Sequence, residues 1–245
     1  MQVEVQNKVR IIVGPNGSGK STLFNLLENE FNLDIGVFIN ADEILKQAKL
    51  TGLINFPITL KNRFPQYEID SFISNHTLTK RFKKTFKCSI INNQIKINKA
   101  TFNSYNAAII ADFYRIILLV SKINFSYESV FSDASKINSV KQLKKNDHQI
   151  YSYIVSTLNP EINKSRVKHR VANAGHSVPE NKIEERYYKS LINIKKVIPF
   201  SHRAFIIDNS QQYEPVLITE VFEGKTIKYL NQHYQPNWLK NLIKL

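Results

Sequence analysis

The chain has 245 residues, and its 34 Lys and Arg against 20 Asp and Glu give a formal net charge of +14. With 42% hydrophobic residues it is long enough to bury a substantial core, and we expect one domain. The single cysteine excludes an internal disulfide and any metal site built on several thiolates. No signal-peptide core or uncharged membrane-length run is visible, so we expect a cytoplasmic protein without a membrane partner.

Short apolar segments that alternate with helical patterns predict an α/β fold of the P-loop NTPase type, with a parallel sheet flanked by helices. The predicted strands cover residues 9–13, a segment ending near 40, and residues 123–130, 149–157 and 203–210. A helix is predicted over residues 21–30. A terminal hairpin is predicted over residues 215–230, with Gly224 and Lys225 in its turn.

Residues 46–106 break this alternation and are predicted to form an α+β insertion within the single domain. A small hairpin is predicted there, with Asn92 and Asn93 in the turn. An amphipathic helix is predicted to follow over residues 107–120. Its apolar face would consist of Ile109, Ile110, Phe113, Ile116, Ile117 and Val120.

The segment GPNGSGKST, residues 14–22, matches the phosphate-binding template G-x-x-x-x-G-K-[ST] between a predicted strand and a predicted helix. Glycines there allow backbone N–H groups to turn towards one anion, and the helix adds its N-terminal dipole. We expect Lys20 to reach the β- and γ-phosphates of ATP and Ser21 to ligate Mg²⁺. The predicted ATP-binding residues are Gly14, Pro15, Asn16, Gly17, Ser18, Gly19, Lys20, Ser21 and Thr22.

Other sequence signals narrow the class of P-loop protein. The absence of an LSGGQ-like segment argues against an ABC ATPase, and no long apolar run after the third strand ends in Asp-Glu. The Asn-Lys-x-Asp segment by which GTPases read guanine is also missing. A kinase-like interpretation remains, in which the hydroxyl of a small-molecule phosphate acceptor must be deprotonated.

Two carboxylates at strand ends are candidates for this chemistry. Asp42, in FINADEI, follows the second strand, where open α/β sheets bind ligands, and could accept the hydroxyl proton. Alternatively, Asn40 or Asp42 simply caps the next helix. Glu128, in FSYESVFSD, could bind a substrate hydroxyl, a cation or Mg²⁺, or could lie at an edge open to solvent.

Arginines on two predicted helices are candidates for stabilising charge on the transferring phosphoryl group. Arg166 and Arg170 are four residues apart and share a helix face, and Arg186 lies on the next helix. The alternative is a basic, solvated helix surface. His176, in the connection between these helices, is expected to structure the loop.

The densest basic segment is KRFKKTFK, residues 80–87. Basic residues interleaved with aromatics could contact nucleic acid, and a nucleic-acid-binding P-loop ATPase is therefore the alternative function. The favoured interpretation of this segment is a solvated surface with Phe82 and Phe86 turned into the core.

The motifs GPNGSGKST, NADEI, YESVFSD, RVKHRVANAGHSVPENKIEERYYKSL and IIDNS occur in this order. Together they resemble the zeta-toxin family of P-loop kinases, in particular the stand-alone branch often labelled as predicted ABC-type ATPases. The resemblance implies ATP-dependent phosphorylation of a small-molecule hydroxyl, which in zeta toxins belongs to UDP-N-acetylglucosamine. It also raises the possibility of a small antitoxin protein as partner.

By this resemblance, Asp42 is the catalytic base, and Lys20 and Ser21 belong to the ATP and Mg²⁺ site. Glu128 would contact the sugar nucleotide, and Arg166, Arg170 and Arg186 are candidate phosphate-clamping residues. The sequence departs from the family pattern in ESVFSD, which replaces the usual ETTLSG, and at Ala174, which replaces a glycine. These departures and the insertion concern the acceptor half of the site.

Overall fold

The structure is a computed structural model that describes residues 7–58, 65–172, 178–211 and 214–243. Within these ranges, no helix is both long and apolar enough to cross a bilayer. The chain divides into two compact units, one formed by Met1–Gly36 and Ser126–Leu245 and the other by Val37–Phe125. The predicted insertion at 46–106 falls inside the second unit, and the single-domain organisation stays a prediction.

The strands are β1 (Lys8–Val13), β2 (Val37–Ile39), β3 (Leu53–Asn55), β4 (Cys88–Ile91), β5 (Gln94–Ile97), β6 (Phe125–Ser129), β7 (Gln149–Ser156), β8 (Arg203–Asp208), β9 (Val216–Phe222) and β10 (Thr226–Tyr229). The helices are α1 (Lys20–Asn29), α2 (Ala41–Thr51), α3 (Gln66–Asn75), α4 (Thr77–Phe82), α5 (Ser104–Val120), α6 (Ser135–Lys145), α7 (Pro160–Ala172), α8 (Glu180–Lys195) and α9 (Asn237–Leu242). A short 3-10 helix covers Ile198–Phe200.

The main sheet has seven strands in the order β10-β9-β8-β7-β1-β6-β2. β7 pairs in parallel with both β1 and β8, so that Ile154 lies opposite Val13 and Ile206. The pairs β8–β9 and β9–β10 are antiparallel, and β9 and β10 form the predicted terminal hairpin. This mostly parallel sheet with flanking helices confirms the predicted P-loop NTPase type of fold.

The first unit is built around the central strands of the main sheet. Val9, Ile11 and Val13 of β1 are fully buried, and so are Ile154 and Ile206 on the neighbouring strands. Continuous apolar segments of this kind are typical of parallel strands covered on both faces. They place the carboxyl end of β1 on a rigid support, and the P-loop begins there.

The second unit contains a three-stranded sheet in the order β3-β5-β4 together with α2, α3, α4 and α5. Its core includes Ile54, Ile69 and Ile95, which are fully buried. β4 and β5 form the predicted hairpin, and Asn92 and Asn93 adopt the positive φ angles of 47° and 63° that its tight turn requires. α3 and α4 were not predicted from the sequence.

Helix α5 begins earlier than predicted, at Ser104, because Asn103 and Asn106 form a reciprocal capping box at its start. The predicted apolar face is wrong at Ile116 and Val120, which are 43% and 73% exposed. These two positions lie at the margin of the buried stripe, which also includes Tyr114 and the small residues Ala107 and Ala111.

In the first unit, the end of β8 is tied to α9 by a buried carboxylate. Asp208, 2% exposed, accepts hydrogen bonds from Trp238 Nε1 at 2.8 Å and from Tyr234 Oη at 3.2 Å. The backbone N–H of Ser210 donates to the same carboxylate at 2.9 Å. A buried charge is tolerated when hydrogen bonds satisfy it, so this contact anchors the C-terminal helix.

We expect Trp238→Phe to lower the free energy of unfolding by about 1–3 kcal/mol, because it leaves one oxygen of a buried carboxylate without its donor. Urea denaturation would measure this change. Tyr229→Phe on β10 is the control, since Tyr229 Oη makes no hydrogen bond within the described residues. Equal unfolding free energies for the two variants would contradict the anchoring role of Asp208.

Candidate phosphate-binding site

The P-loop joins β1 to α1, and its backbone has the conformation that glycine makes accessible. Gly17 and Gly19 have φ angles of +77° and +89°, in the left-handed region that other residues adopt with strain. The N–H of Gly14 donates to the carbonyl of Ser129 at 3.3 Å, which ties the loop to the end of β6. Leu23 N donates to Gly19 O at 3.0 Å and begins the helical hydrogen-bonding pattern of α1.

Lys20 is the first residue of α1, and its side chain folds back onto the loop. Its Nζ donates to the carbonyl oxygens of Gly14 at 3.0 Å and Pro15 at 2.8 Å. A phosphate held by the loop would therefore find the ammonium group already adjacent to the loop backbone. The role of Lys20 as the cation of a phosphate cradle stays a prediction.

The hydroxyl of Ser21 donates to Glu128 Oε2 at 3.1 Å, which joins the start of α1 to the end of β6. Ser21 is exposed and Glu128 half-buried. Hydroxyl and carboxylate oxygens are the ligand types that Mg²⁺ takes in phosphate-transfer sites, usually with phosphate oxygens completing the set. The two residues therefore fit a Mg²⁺ site.

Two buried asparagines that sequence reasoning missed support the P-loop from outside. Asn209 Nδ2 donates to Ser18 O at 2.8 Å, and Asn163 Nδ2 donates to Asn16 O at 2.6 Å. The approach is close, because a Cβ at Gly19 would lie 2.0 Å from Asn209 Nδ2. The sequence signal for Asn209 was the IIDNS segment, residues 206–210, in which β8 ends and polar residues follow, but nothing in it indicated a contact with the P-loop.

A chain of buried hydrogen bonds continues from Asn163 to helix α8. Asn163 Oδ1 is hydrogen-bonded to the hydroxyl of Thr157, and Tyr187 Oη donates to the carbonyl of Thr157 at 2.5 Å. Burial raises the pKa of Tyr187 to about 12, so its hydroxyl keeps the proton that it donates. Through this chain the P-loop is connected to α8, which carries Arg186.

The three predicted arginines have different environments. Arg166 donates to the carbonyls of Asn209 at 2.6 Å, Ser210 at 3.2 Å and Gln211 at 3.3 Å. Its burial lowers its pKa, and the nearby Asp208 carboxylate acts in the opposite direction. Arg170 is exposed on the same helix, α7. Arg186 is half-buried on α8 and makes no hydrogen bond or ion pair with any other described residue.

Helices α7 and α8 are held together by a bridging lysine and a small apolar cluster. Lys164 Nζ donates to Glu161 Oε1 at 2.7 Å and to Glu184 Oε2 at 2.6 Å, and the hydrogen bond to Glu161 is the main reason why its pKa is raised. The apolar cluster consists of Val167, Val178 and Ile183. The connection with Ala174 and His176 lies outside the described residues, so the expectation for His176 stays a prediction.

Asp42 belongs to the second unit, where it is the second residue of α2. Asn40 is the N-cap of this helix, and its Oδ1 accepts from the backbone N–H of Asp42 at 2.8 Å. The Asp42 side chain is exposed and has no hydrogen-bond or ion-pair partner among the described residues. Asn40 therefore performs the capping, and the carboxylate of Asp42 is not needed for it.

Comparison with protein families supports nucleotide binding at this loop. A family model described as ABC transporter matches residues 3–190, which include the P-loop, Glu128 and all three predicted arginines. The exclusion of the ABC class that we drew from the missing LSGGQ-like segment is therefore wrong at the level of the family. A comparison with curated proteins found no similar sequence.

Solved structures share the fold at low sequence identity. A complex of AvrRxo1-ORF1 with AvrRxo1-ORF2 and sulphate ions matches with a TM-score of 0.54 and 14% identity, covering 94% of this chain and 62% of that chain. The corresponding complex with ATP gives 0.53 and 14%, covering 93% and 62%. A structure from the PezAT toxin-antitoxin system of Streptococcus pneumoniae gives 0.51 and 14%, covering 87% and 71%. The chain thus shares the fold of these structures, in keeping with the P-loop NTPase type that the motifs predicted.

We expect Asn209→Ala to weaken ATP binding roughly fivefold, because loss of about 1 kcal/mol of hydrogen bonding releases the carbonyl of Ser18 and loosens the loop. Isothermal titration calorimetry with ATP would measure the affinity. Asn231→Ala, at a half-exposed position beyond β10, removes the same side chain away from the loop and is the control. An unchanged affinity in Asn209→Ala would show that the loop holds its shape without this amide.

Proposed function

The chain belongs to the ABC transporter family, whose model covers the nucleotide-binding loop. From nucleotide binding at this loop, we propose that the protein is an ATP-dependent kinase of the zeta-toxin type. It transfers the γ-phosphoryl group of ATP to a hydroxyl of a sugar nucleotide such as UDP-N-acetylglucosamine, or of a related metabolite. The proposal combines the nucleotide-binding loop with the sequence motifs that resemble zeta toxins. Both halves of the reaction, phosphate donation and hydroxyl activation, have residues assigned to them.

The observation that carries the proposal is the arrangement at the start of α2. Asn40 caps the helix with its own side chain, and the neighbouring Asp42 carboxylate remains exposed and without a structural partner in the described residues. A carboxylate that the helix does not use is available as a general base, and the resemblance matches Asp42 to the base of the family. Asp42 would receive the proton of the acceptor hydroxyl.

The donor half rests on the P-loop. Its backbone N–H groups and Lys20 would bind the β- and γ-phosphates of ATP, with the helix dipole of α1 adding to the attraction. Mg²⁺, when bound by Ser21 and Glu128, would offset charge on the phosphates. This assigns Glu128 to the donor half, whereas the family resemblance alone places it against the sugar nucleotide.

The proposed reaction is an in-line displacement. As the hydroxyl proton moves to Asp42, the hydroxyl oxygen forms a bond to the γ-phosphorus, and the bond from that phosphorus to the bridging oxygen of ADP breaks. The products are ADP and the phosphorylated acceptor. Positive charge from Lys20 and from arginines of α7 and α8 would stabilise the equatorial oxygens of the transferring group.

Among the arginines, the contacts favour Arg186 over Arg166 as the main phosphate-clamping residue, and Arg170 stays a candidate from the sequence. Arg166 already donates to three backbone carbonyls after β8, and moving it to a phosphate would leave those carbonyls without a donor. Arg186 makes no such contacts within the described residues, and the buried chain through Tyr187 and Thr157 links its helix to the P-loop. We therefore assign the main clamping role to Arg186.

The structural neighbours support ATP as the donor and a small protein as partner. One AvrRxo1-ORF1:ORF2 structure contains ATP, and the PezAT structure comes from a chromosomal toxin-antitoxin system. This chain spans 62% of the AvrRxo1 chain that it matches, which is less than two thirds. We propose that a small antitoxin protein restrains the kinase.

We expect Asp42→Ala to lower the rate of phosphoryl transfer by about 10²–10⁴-fold, because the acceptor hydroxyl loses its general base. Transfer would be measured with labelled ATP, first against a panel of UDP-sugars and nucleotides and then with the acceptor that this panel identifies. ATP affinity should be unchanged in this variant. Lys20→Ala should show the opposite behaviour, with weakened ATP affinity.

Glu43→Ala is the matched control for Asp42→Ala, since Glu43 is the next residue of α2, exposed and acidic. It should retain transfer. Near-normal transfer by Asp42→Ala, or an equal loss in Glu43→Ala, would remove Asp42 from the proposed mechanism.

Arg186→Ala should lower kcat by at least about tenfold while leaving the free energy of unfolding nearly unchanged. Arg166→Ala should instead lower the free energy of unfolding by about 1–3 kcal/mol, because three backbone carbonyls lose their donor. Steady-state kinetics and urea denaturation of both variants separate the two roles. Lys189→Ala, which removes an exposed cation from the same helix as Arg186, should change kcat little. A stability loss confined to Arg186→Ala would reverse the assignment.

A further inference from the structure

The densest cluster of positively charged residues in the chain, five within residues 80–87, lies in the second unit. Residues 71–111 contain seven Lys and Arg and no Asp or Glu, so this stretch carries half of the formal net charge of +14. Other stretches without Asp or Glu carry fewer cations: residues 186–207 contain five Lys and Arg, and residues 134–146 contain four Lys. In helix α6 the four Lys are spread over ten residues, and Asp133 and Asp147 flank the helix.

Five of these cations form what we call the basic surface, which consists of Lys80, Arg81, Lys83, Lys84 and Lys87. They lie on the last turn of α4 and on the segment leading to β4, and all are exposed. Lys83 ends the helix in the left-handed conformation, with φ of 51°. Exposed cations at this density attract a polyanion, and the attraction weakens as the salt concentration rises.

An exposed aromatic pair lies within the basic surface. The rings of Phe82 and Tyr105 are 40% and 49% exposed, and their centroids are 4.5 Å apart. The Arg81 guanidinium lies 5.5 Å from the Phe82 ring centroid. The expectation that both aromatics of the segment turn into the core is therefore wrong for Phe82. Phe86 does turn inward, where it packs edge-on against Phe102.

We propose that the basic surface and the Phe82–Tyr105 pair form a binding site for a single polynucleotide strand. The cations would contact successive phosphates, and unpaired bases would stack on the exposed rings, which every base can do regardless of sequence. An acidic protein segment would use the charge but would leave the aromatic rings without a matching partner. This site goes beyond the proposed kinase activity and does not depend on it.

The aromatic contribution is tested by fluorescence anisotropy with a labelled single-stranded RNA of about 12 nucleotides, a length within the range that such surfaces cover. Phe82→Ala and Tyr105→Ala should each weaken binding about tenfold, the effect expected from losing one stacked base. Tyr67→Ala is the matched control, because Tyr67 is 70% exposed on α3 of the same unit. It should bind the RNA like the unaltered protein.

The charge contribution is tested with two double variants of equal net charge. Lys83→Gln/Lys84→Gln should reduce the slope of log affinity against log salt by about 1.4, as expected for two phosphate contacts with a single strand. Lys144→Gln/Lys145→Gln removes the same charge from exposed positions on α6 and should leave the slope unchanged. An unaltered thermal unfolding midpoint and ATP affinity verify that each variant is folded.

Three results would each overturn the proposal. One is equal loss of affinity in the two lysine double variants, which would make binding a property of the net charge. The second is unaltered RNA binding by Phe82→Ala and Tyr105→Ala, which would leave no role for base stacking. The third is competition by polyglutamate as effective as that by unlabelled RNA at equal charge concentration, since it would identify an acidic protein as an equivalent ligand.

Discussion

The candidate site depends on the hydrogen bonds that buried asparagine amides make with the carbonyl oxygens of the P-loop. A loop with three glycines in six residues loses much backbone entropy when it is ordered, and its left-handed residues have no side chains to hold them in place. Asn163 and Asn209 provide the missing restraint from points 147 and 191 residues away along the chain. Together with the hydrogen bonds from Gly14 to Ser129 and from Lys20 to the loop carbonyls, it keeps the N–H groups that would converge on a phosphate in one arrangement.

The same restraint makes the loop part of a larger polar framework. Asn209 follows β8, and Arg166 holds the carbonyls of that segment. Asn163 lies on α7 and is connected through Thr157 and Tyr187 to α8. Of the three arginines that the sequence proposed for the phosphate, Arg166 is thus occupied in supporting the segment after β8. The half-buried Arg186 is the one proposed to clamp the phosphate. Arg166 on α7 thus has a structural role, and Arg186 on α8 has the proposed chemical role.

The positively charged side chains of this protein lie in two different kinds of environment. Lys20 lies within a shaped loop, hydrogen-bonded to backbone carbonyls, and its position suits one compact phosphate group. The basic surface around Phe82 is exposed and extended, and its cations are accompanied by aromatic rings. Net charge alone does not distinguish these cases, because it counts cations without regard to burial, spacing or neighbours.

The sequence by itself determined the sheet of the P-loop core, both hairpins and the phosphate-binding loop. These features depend on local patterns, such as apolar strands, turn residues and glycine spacing, that act within a few residues. Only the tertiary structure decided that Ser21 meets Glu128, that two distant asparagines hold the loop, and that Phe82 is exposed. Each of these features depends on residues that are far apart in the chain. Packing decides which of these residues come together in space, and no local sequence pattern encodes that packing.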